Sequence, residues 1–183
     1  MPKKARVILT FNCEKDCDYC CNKYTSIIDK AIPIDRKDLE EELKDFHTIA
    51  LTGGEPLLDL ASTMAFVQRL RYGNPYRLIY LYTAKFEIAS LWLLSLIDGV
   101  HFTLHEDTTK EEIESFEIIQ RALKEHPSRS YRLYIHPGIK HSITIIPNVW
   151  SRIESKPWLK EGECELPEDE TLFKVSETKG EKP

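Results

Sequence analysis

Four cysteines fall within nine residues: Cys13, Cys17, Cys20 and Cys21, in the run Cys-Glu-Lys-Asp-Cys-Asp-Tyr-Cys-Cys. No other stretch limits the chemistry of the chain so tightly. Three of them are spaced C-x3-C-x2-C and follow the apolar run Val7-Ile8-Leu9, which reads as a first strand. A thiolate is a soft ligand suited to iron–sulfur clusters and zinc. Three thiolates on one tight loop reach one metal centre and leave a tetrahedral or cubane site one ligand short. Such an open position is where chemistry takes place. The fifth cysteine, Cys164, lies far along the chain. An odd count with four clustered reads as metal ligation in a reducing compartment, not as a disulfide framework, and predicts a cytoplasmic protein. Cys21 adjoins Cys20, so its side chain is expected to point away from the metal. Cys164 reads as a free thiol.

The rest of the chain alternates strand and helix patterns. Arg6 to Thr10 is the first strand, and His47 to Thr52 the second, ending in Gly53-Gly54-Glu55-Pro56. Between them Asp35 reads as a helix cap, with Leu39, Leu43 and Phe46 on one helical face. A helix from about Ser62 buries Phe66, Val67 and Leu70. Arg77 to Thr83 is a β-branched and aromatic third strand. Ile88 to Ile97 reads as a buried helix, and Val100 to Leu104 as a fourth strand. Thr109-x-x-Glu112 is a capping box ahead of the stripe Ile113, Phe116, Ile119 and Leu123. Tyr131 to Ile135 is a fifth strand, and Ser142 to Ile146 a candidate sixth. About five to six β/α units predict an α/β fold with a parallel sheet, too few for a closed eight-fold barrel and consistent with an open, partial TIM-like barrel. The site is then expected at the carboxyl ends of the strands.

Charge and hydropathy narrow the function classes. Net charge is −5, and residues 160–183 hold eight acids against four lysines. The body is therefore near neutral, without the basic stripe of a nucleic-acid binder. No apolar run approaches the roughly 20 residues of a membrane span. The apolar run after the basic N-terminus is too short for a signal peptide. Composition divides the chain into a body of residues 1–157 and an acidic tail, 158–183, read as solvated. Within that tail Thr171 to Val175 could add a short strand.

The cysteine spacing, the aromatic Tyr19 just before Cys20, and Gly53-Gly54-Glu55-Pro56 after the second strand together resemble the radical S-adenosylmethionine (radical SAM) superfamily. The matching motifs span residues 6–60, and the strand–helix rhythm extends the likeness to about residue 146. The resemblance implies that Cys13, Cys17 and Cys20 ligate three irons of a [4Fe–4S] cluster and that SAM chelates the fourth. It implies that the carbonyls of Gly53 and Gly54 and the carboxylate of Glu55 meet the SAM ammonium, since these groups are acceptors. Glycine would let backbone approach the ligand closely. Tyr19 would pack near the adenine, Thr103 and His105 would meet the ribose, and Arg132 the SAM carboxylate. His136 would be polar lining, while His101 and His141 take no role. The implied chemistry is reductive cleavage of SAM to methionine and a 5′-deoxyadenosyl radical that takes hydrogen from a substrate. The electron would come from a donor such as flavodoxin or ferredoxin.

Too few cysteines remain for an auxiliary cluster. Tyr19-Cys20-Cys21-Asn22, Gly53 to Leu58 and Ile135-His136-Pro137-Gly138 are similar to glycyl-radical-enzyme activases, whose substrate is a protein. Tyr82-Thr83-Ala84-Lys85 departs from the Thr-Asn-Gly often found there in activases. A second small subfamily, the 7-carboxy-7-deazaguanine synthases, places a magnesium-binding threonine after the cysteine motif, where this chain has Cys21-Asn22. A reading from another class is a structural or sensing metal module: zinc held by the triad with Cys21 or Cys164 as fourth ligand. In that reading the Gly-Gly-Glu-Pro run is only a turn with proline opening a helix.

Overall fold

The computed structural model describes residues 3–15, 17, 19–85, 88–127, 129–155, 157, 159–160 and 163–176. Strands β1 (Lys3–Ile8), β2 (Ile32–Asp35), β3 (Phe46–Thr52), β4 (Leu78–Thr83), β5 (Gly99–Leu104), β6 (Ser130–Ile135), β7 (Arg152–Ser155) and β8 (Glu170–Ser176) make one sheet. Its order is β2-β8-β1-β3-β4-β5-β6-β7, which leaves β2 and β7 as open edges. The pairings on either side of β1, β8, β5 and β6 are all parallel. Helices α1 (Thr25–Ile28), α2 (Leu39–Glu42), α3 (Leu60–Gly73), α4 (Leu91–Leu94) and α5 (Lys110–Lys124) fill the crossovers. This is the open α/β architecture that the alternating pattern predicts. Central strands read as near-continuous apolar runs because both faces are covered, as in Ile49-Ala50-Leu51 of β3.

The chain forms two compact units. The first comprises residues 1–79 and 159–183. Here α3 starts at Asp59, whose carboxylate accepts from the Ser62 N–H at 3.0 Å, and it buries Phe66, Val67 and Leu70 as expected. Asp35 is not a helix cap. It ends β2, and α2 is a single turn that buries Leu39. The turn stops there because the guanidinium of Arg77 collects the carbonyls beyond it. Arg77 donates to Leu43 O at 2.8 Å, Phe46 O at 3.0 Å, Lys44 O at 3.3 Å and Leu70 O at 3.4 Å. Burial, followed by nearby Arg71, lowers the Arg77 pKa.

The segment that composition sets apart as an acidic tail supplies β8, inserted between β1 and β2. Leu172, Phe173 and Val175 are buried there, and Phe173 packs edge-on against Phe46 with ring centroids 5.4 Å apart. The strand is the one Thr171 to Val175 suggested, and it corrects the reading of the segment as a solvated tail, which rested on the surrounding acids. Residues 158, 161–162 and 177–183 of the tail lie outside the described residues.

The second unit comprises residues 80–158. Helix α5 carries the predicted capping box, with Thr109 and Glu112 each bonding the other's backbone N–H. Phe116 on its buried face stacks between Phe102, at 5.4 Å, and Trp150, at 5.7 Å. Ser142 to Ile146 is not a strand. Its polar backbone is satisfied by a side chain instead: the fully buried Gln120 donates to Thr144 O and accepts from Ile146 N–H and Trp150 Nε1. The place beside β6 is taken by β7. Ile88 to Ile97 yields only a short 3-10 turn and α4, with Ile88 and Trp92 exposed. The Ser95 hydroxyl donates to Trp92 O at 2.7 Å, a local bond that competes with helix continuation.

Candidate metal centre

The first unit brings the cysteine loop against the turn that follows β3. Both segments leave adjacent parallel strands, β1 and β3, at their carboxyl ends. The ladder continues past the strands: Leu9 N–H donates to Thr52 O at 2.9 Å, Gly54 N–H to Thr10 O at 2.7 Å, and Glu55 N–H to Asn12 O at 2.8 Å. Asn12 N–H in turn meets the Thr10 hydroxyl at 3.0 Å. The approach leaves no room for side chains. A Cβ on Gly54 would lie 2.1 Å from Asn12 O, and one on Gly53 2.3 Å from Thr10 O. Gly53 also has φ +133°, a region that L side chains avoid. The missing side chains thus admit the backbone leading into the cysteine loop. This packing requirement stands beside the close approach to a ligand that the resemblance implies.

Glu55 is buried, and one carboxylate oxygen accepts from Leu57 N–H at 3.0 Å, capping the 3-10 turn Pro56–Asp59. Pro56 opens that turn, and its carbonyl accepts from the Thr63 hydroxyl at 2.7 Å. The turn-and-proline reading is therefore correct as local structure, and it fixes a buried acid beside the cysteines.

Cys13, Cys17 and Cys20 keep their thiols, with Cys13 exposed and the other two half-buried. Cys20 N–H reaches back to Cys17 O at 3.3 Å, and Lys23 N–H to Cys20 O at 2.8 Å. Tyr19 is half-buried within the same loop. Lost hydration holds the Cys13 thiol pKa above its ordinary value, and the charges of Glu55 and Cys20 raise it further; a backbone hydrogen bond from Lys15 opposes them. Cys13, Cys20 and Glu55 therefore share one electrostatic neighbourhood. Among the described residues no three His, Cys, Asp or Glu side chains gather tightly enough to hold one metal ion. A cluster asks for something else, because each thiolate binds its own iron. The donor set, three thiols on one loop beside a buried acid, fits a [4Fe–4S] cluster with one iron lacking a protein thiolate.

The fourth cysteine of the run is removed from this set. Cys21 is joined to Cys164 by a disulfide, with Cα atoms 6.2 Å apart. This corrects the free-thiol reading of Cys164 and the expectation of no disulfide. The physical reason is packing: the turn Cys21–Lys23 directs Cys21 away from its neighbours, onto the buried cluster of Ile8, Tyr24, Ile27, Ala31 and Leu172, where Cys164 also packs. The outward direction expected for Cys21 matches this placement; its partner, 143 residues away, carries no local signal. Asn22 is the other residue that sequence reasoning did not assign. Its side-chain amide donates to Gly53 O, so the loop is tied at both ends to the turn after β3.

The remaining candidates lie in the second unit. Thr103, on β5, pairs in register with Tyr134, and Arg132, on β6, with His101 and Arg152. Thr103 and His105 are half-buried, and Arg132 is exposed. His136 is buried, accepts at Nδ1 from Gly138 N–H at 3.1 Å, and lies 3.7 Å from the Glu106 carboxylate.

Residues 5–112 match the family described as 4Fe-4S single cluster domain. Among solved structures, the crystal structure of BtrN in complex with AdoMet and 2-DOIA is similar, at TM-score 0.54 and 25% identity over 73% of this chain. The alignment spans only 56% of the BtrN chain. No curated protein matches the sequence.

Proposed function

We propose, from the premise that this chain belongs to the 4Fe-4S single cluster domain family, that it is a radical SAM enzyme. The family match and the similarity to an AdoMet-bound structure both support that superfamily. One observation carries the reading: a three-thiol loop bonded through its own backbone to a Gly-Gly-Glu turn, with its fourth cysteine withdrawn.

In this reading Cys13, Cys17 and Cys20 hold three irons of the cluster. When bound, the cluster and SAM would supply one-electron cleavage of the sulfonium and, through it, hydrogen-atom removal from the substrate. The chain's own residues orient and select. The buried Glu55 carboxylate and the Gly53 and Gly54 carbonyls are acceptors for the ammonium of SAM. Asn22 fixes the Gly53 carbonyl by occupying one of its lone pairs. Tyr19 lies on the loop as a face for the adenine. Thr103 and His105 for the ribose, and Arg132 for the carboxylate, rest on the family resemblance alone. A flavodoxin or ferredoxin is the proposed electron donor, and the cytoplasm the proposed location.

For the substrate we favour a protein, as in glycyl-radical-enzyme activases. What supports this reading is the likeness of the run Tyr19-Cys20-Cys21-Asn22 to the Tyr-Cys-His-Asn of activases, with Cys21 in place of the histidine. Co-purification with a large partner would support it; binding of a pterin-like molecule would instead turn the reading toward deazaguanine chemistry.

The test of the enzyme reading is direct. Protein reconstituted without oxygen and reduced with dithionite is expected to release 5′-deoxyadenosine from SAM. A cluster that forms, but whose EPR spectrum SAM does not change and which cleaves no SAM, overturns the reading and leaves a structural or sensing metal module.

A further inference from the structure

The cysteine run holds two sulfur states side by side. Cys13, Cys17 and Cys20 are thiols, and Cys21, adjacent to Cys20, is oxidised. The reducing compartment proposed above supplies thiols able to attack a disulfide they can reach. Cys21 and Cys164 are both half-buried, within reach of a small dithiol. We propose that the Cys21–Cys164 disulfide is a reversible redox latch that couples the cluster loop to the C-terminal strand.

The placement of the bond gives it leverage at both ends. On one side Cys21 begins the turn Cys21–Lys23, between the ligand Cys20 and Asn22, which holds Gly53 O. On the other side Cys164 and Leu166 lead into β8, lodged between β1 and β2. That segment has further ties to β1, through Lys4–Asp169 at 2.5 Å and Arg6–Glu170 at 2.8 Å. Closed, the latch holds the loop's turn against the Ile8, Tyr24 and Leu172 cluster and keeps a fourth thiol away from the ligand set. Open, it frees the Cys21 thiol next to Cys20 and unties the run that leads into β8.

The exchange balances with a dithiol as co-reactant. One thiolate of the dithiol attacks a latch sulfur, the S–S bond breaks, and a mixed disulfide forms. The second thiol resolves it, so the dithiol ends as a disulfide and Cys21 and Cys164 each end as S–H. Two electrons and two protons pass from dithiol to protein. The cross-link itself is independent of the proposed reaction; only its consequence for ligand selection rests on that reading.

The test therefore uses the full chain free of iron, so that its failure differs from failure of the enzyme reading. Protein is oxidised with a small disulfide and alkylated in denaturant, and its peptides are mapped without reduction. A linked Cys21–Cys164 peptide is expected. Folded protein is then treated with a small dithiol and followed by alkylation, melting and hydrogen exchange. The link is expected to open without denaturant and the melting temperature to fall by about 5–15 °C, the range for opening a long disulfide loop in a domain of this size. Amide exchange is expected to speed up at least about tenfold in residues 21–28 and 170–176, with little change in α5. Cys164→Ser should show the reduced pattern in both conditions; if that variant does not fold, the wild-type pair of states still decides. Absence of the linked peptide overturns the proposal. So does a link that resists dithiol until the protein unfolds, or exchange in those segments that is the same in both states.

Discussion

The side-chain amide of Asn22 donates to the carbonyl oxygen of Gly53, 31 residues away. It ties the exit of the cysteine loop to the turn after β3, whose backbone already holds the loop's entry through Thr10 and Asn12. Replacing Asn22 by Ala removes this bond. The expected cost is about 1 kcal/mol, the net worth of one such hydrogen bond, or about 2–4 °C in melting temperature. Affinity for SAM, measured by titration of the reconstituted protein, is expected to weaken by about five- to tenfold, because the Gly53 carbonyl loses its fixed direction. Unchanged affinity would remove Asn22 from the site.

Gly54 and Gly73 provide an internal contrast. A Cβ at Gly54 would meet Asn12 O at 2.1 Å, while one at Gly73 meets nothing within 4 Å. Gly54→Ala is expected to destabilise by about 3 kcal/mol or more, because backbone must move, and to lower the iron bound after reconstitution. Gly73→Ala, near the end of α3, is expected to be neutral or stabilising by up to about 1 kcal/mol. Thermal melts and iron assays on the two variants check both.

Arg77 holds four carbonyls, just past α2, at the start of β3 and near the end of α3, while only 2% exposed. Arg77→Met keeps the apolar stem and removes all four bonds, leaving Leu43 O and Leu70 O with only the backbone amides of Phe46 and Asn74. The expected loss is roughly 3 kcal/mol or more, read as the midpoint of a urea transition. Arg77→Lys is expected to recover little, since an ammonium cannot reproduce the planar fork.

The exposed pair Lys4–Asp169 joins β1 to the entry of β8. The hydrogen bond from Lys4, with its charge as a second aid, lowers the Asp169 pKa, and the same bond, then the Asp169 charge, raises that of Lys4. A lowered carboxylate contributes fully above its unfolded value, about 4, and loses that contribution as pH falls through the folded value. A raised lysine contributes fully below its unfolded value, about 10.4, and loses it as pH rises through the folded one. The melting-temperature gap between wild type and Lys4→Met is thus expected to stay level from about pH 5 to 9 and to close at both extremes. It is expected to be small and to shrink with added salt.

What was legible in the sequence follows from the range of each interaction. The thiol triad, the Gly-Gly-Glu-Pro turn, the capping box of α5 and the alternation of strands with helices are written within a few residues of each other. Asp35 and Ser142 to Ile146 misled for the opposite reason. Asp35 has a good capping residue's chemistry, but its segment is claimed by a ladder with Val175 and Ser176. The backbone near Ile146 is claimed by Gln120, 26 residues before it.

The amino-acid sequence alone determined the thiol triad and the class of fold, because cysteine spacing and hydrophobic period are local properties. Only the tertiary structure decided that Cys21 pairs with Cys164, that Asn22 joins the turn, and that the C-terminal strand is inserted inside the sheet. Each of those choices depends on a partner brought close by the sheet order, with β8 between β1 and β2. Cys21 and Cys164 are separated by 143 residues of chain and meet on one buried apolar cluster. No pattern along the chain encodes that meeting, because it is set by how the strands are ordered in space.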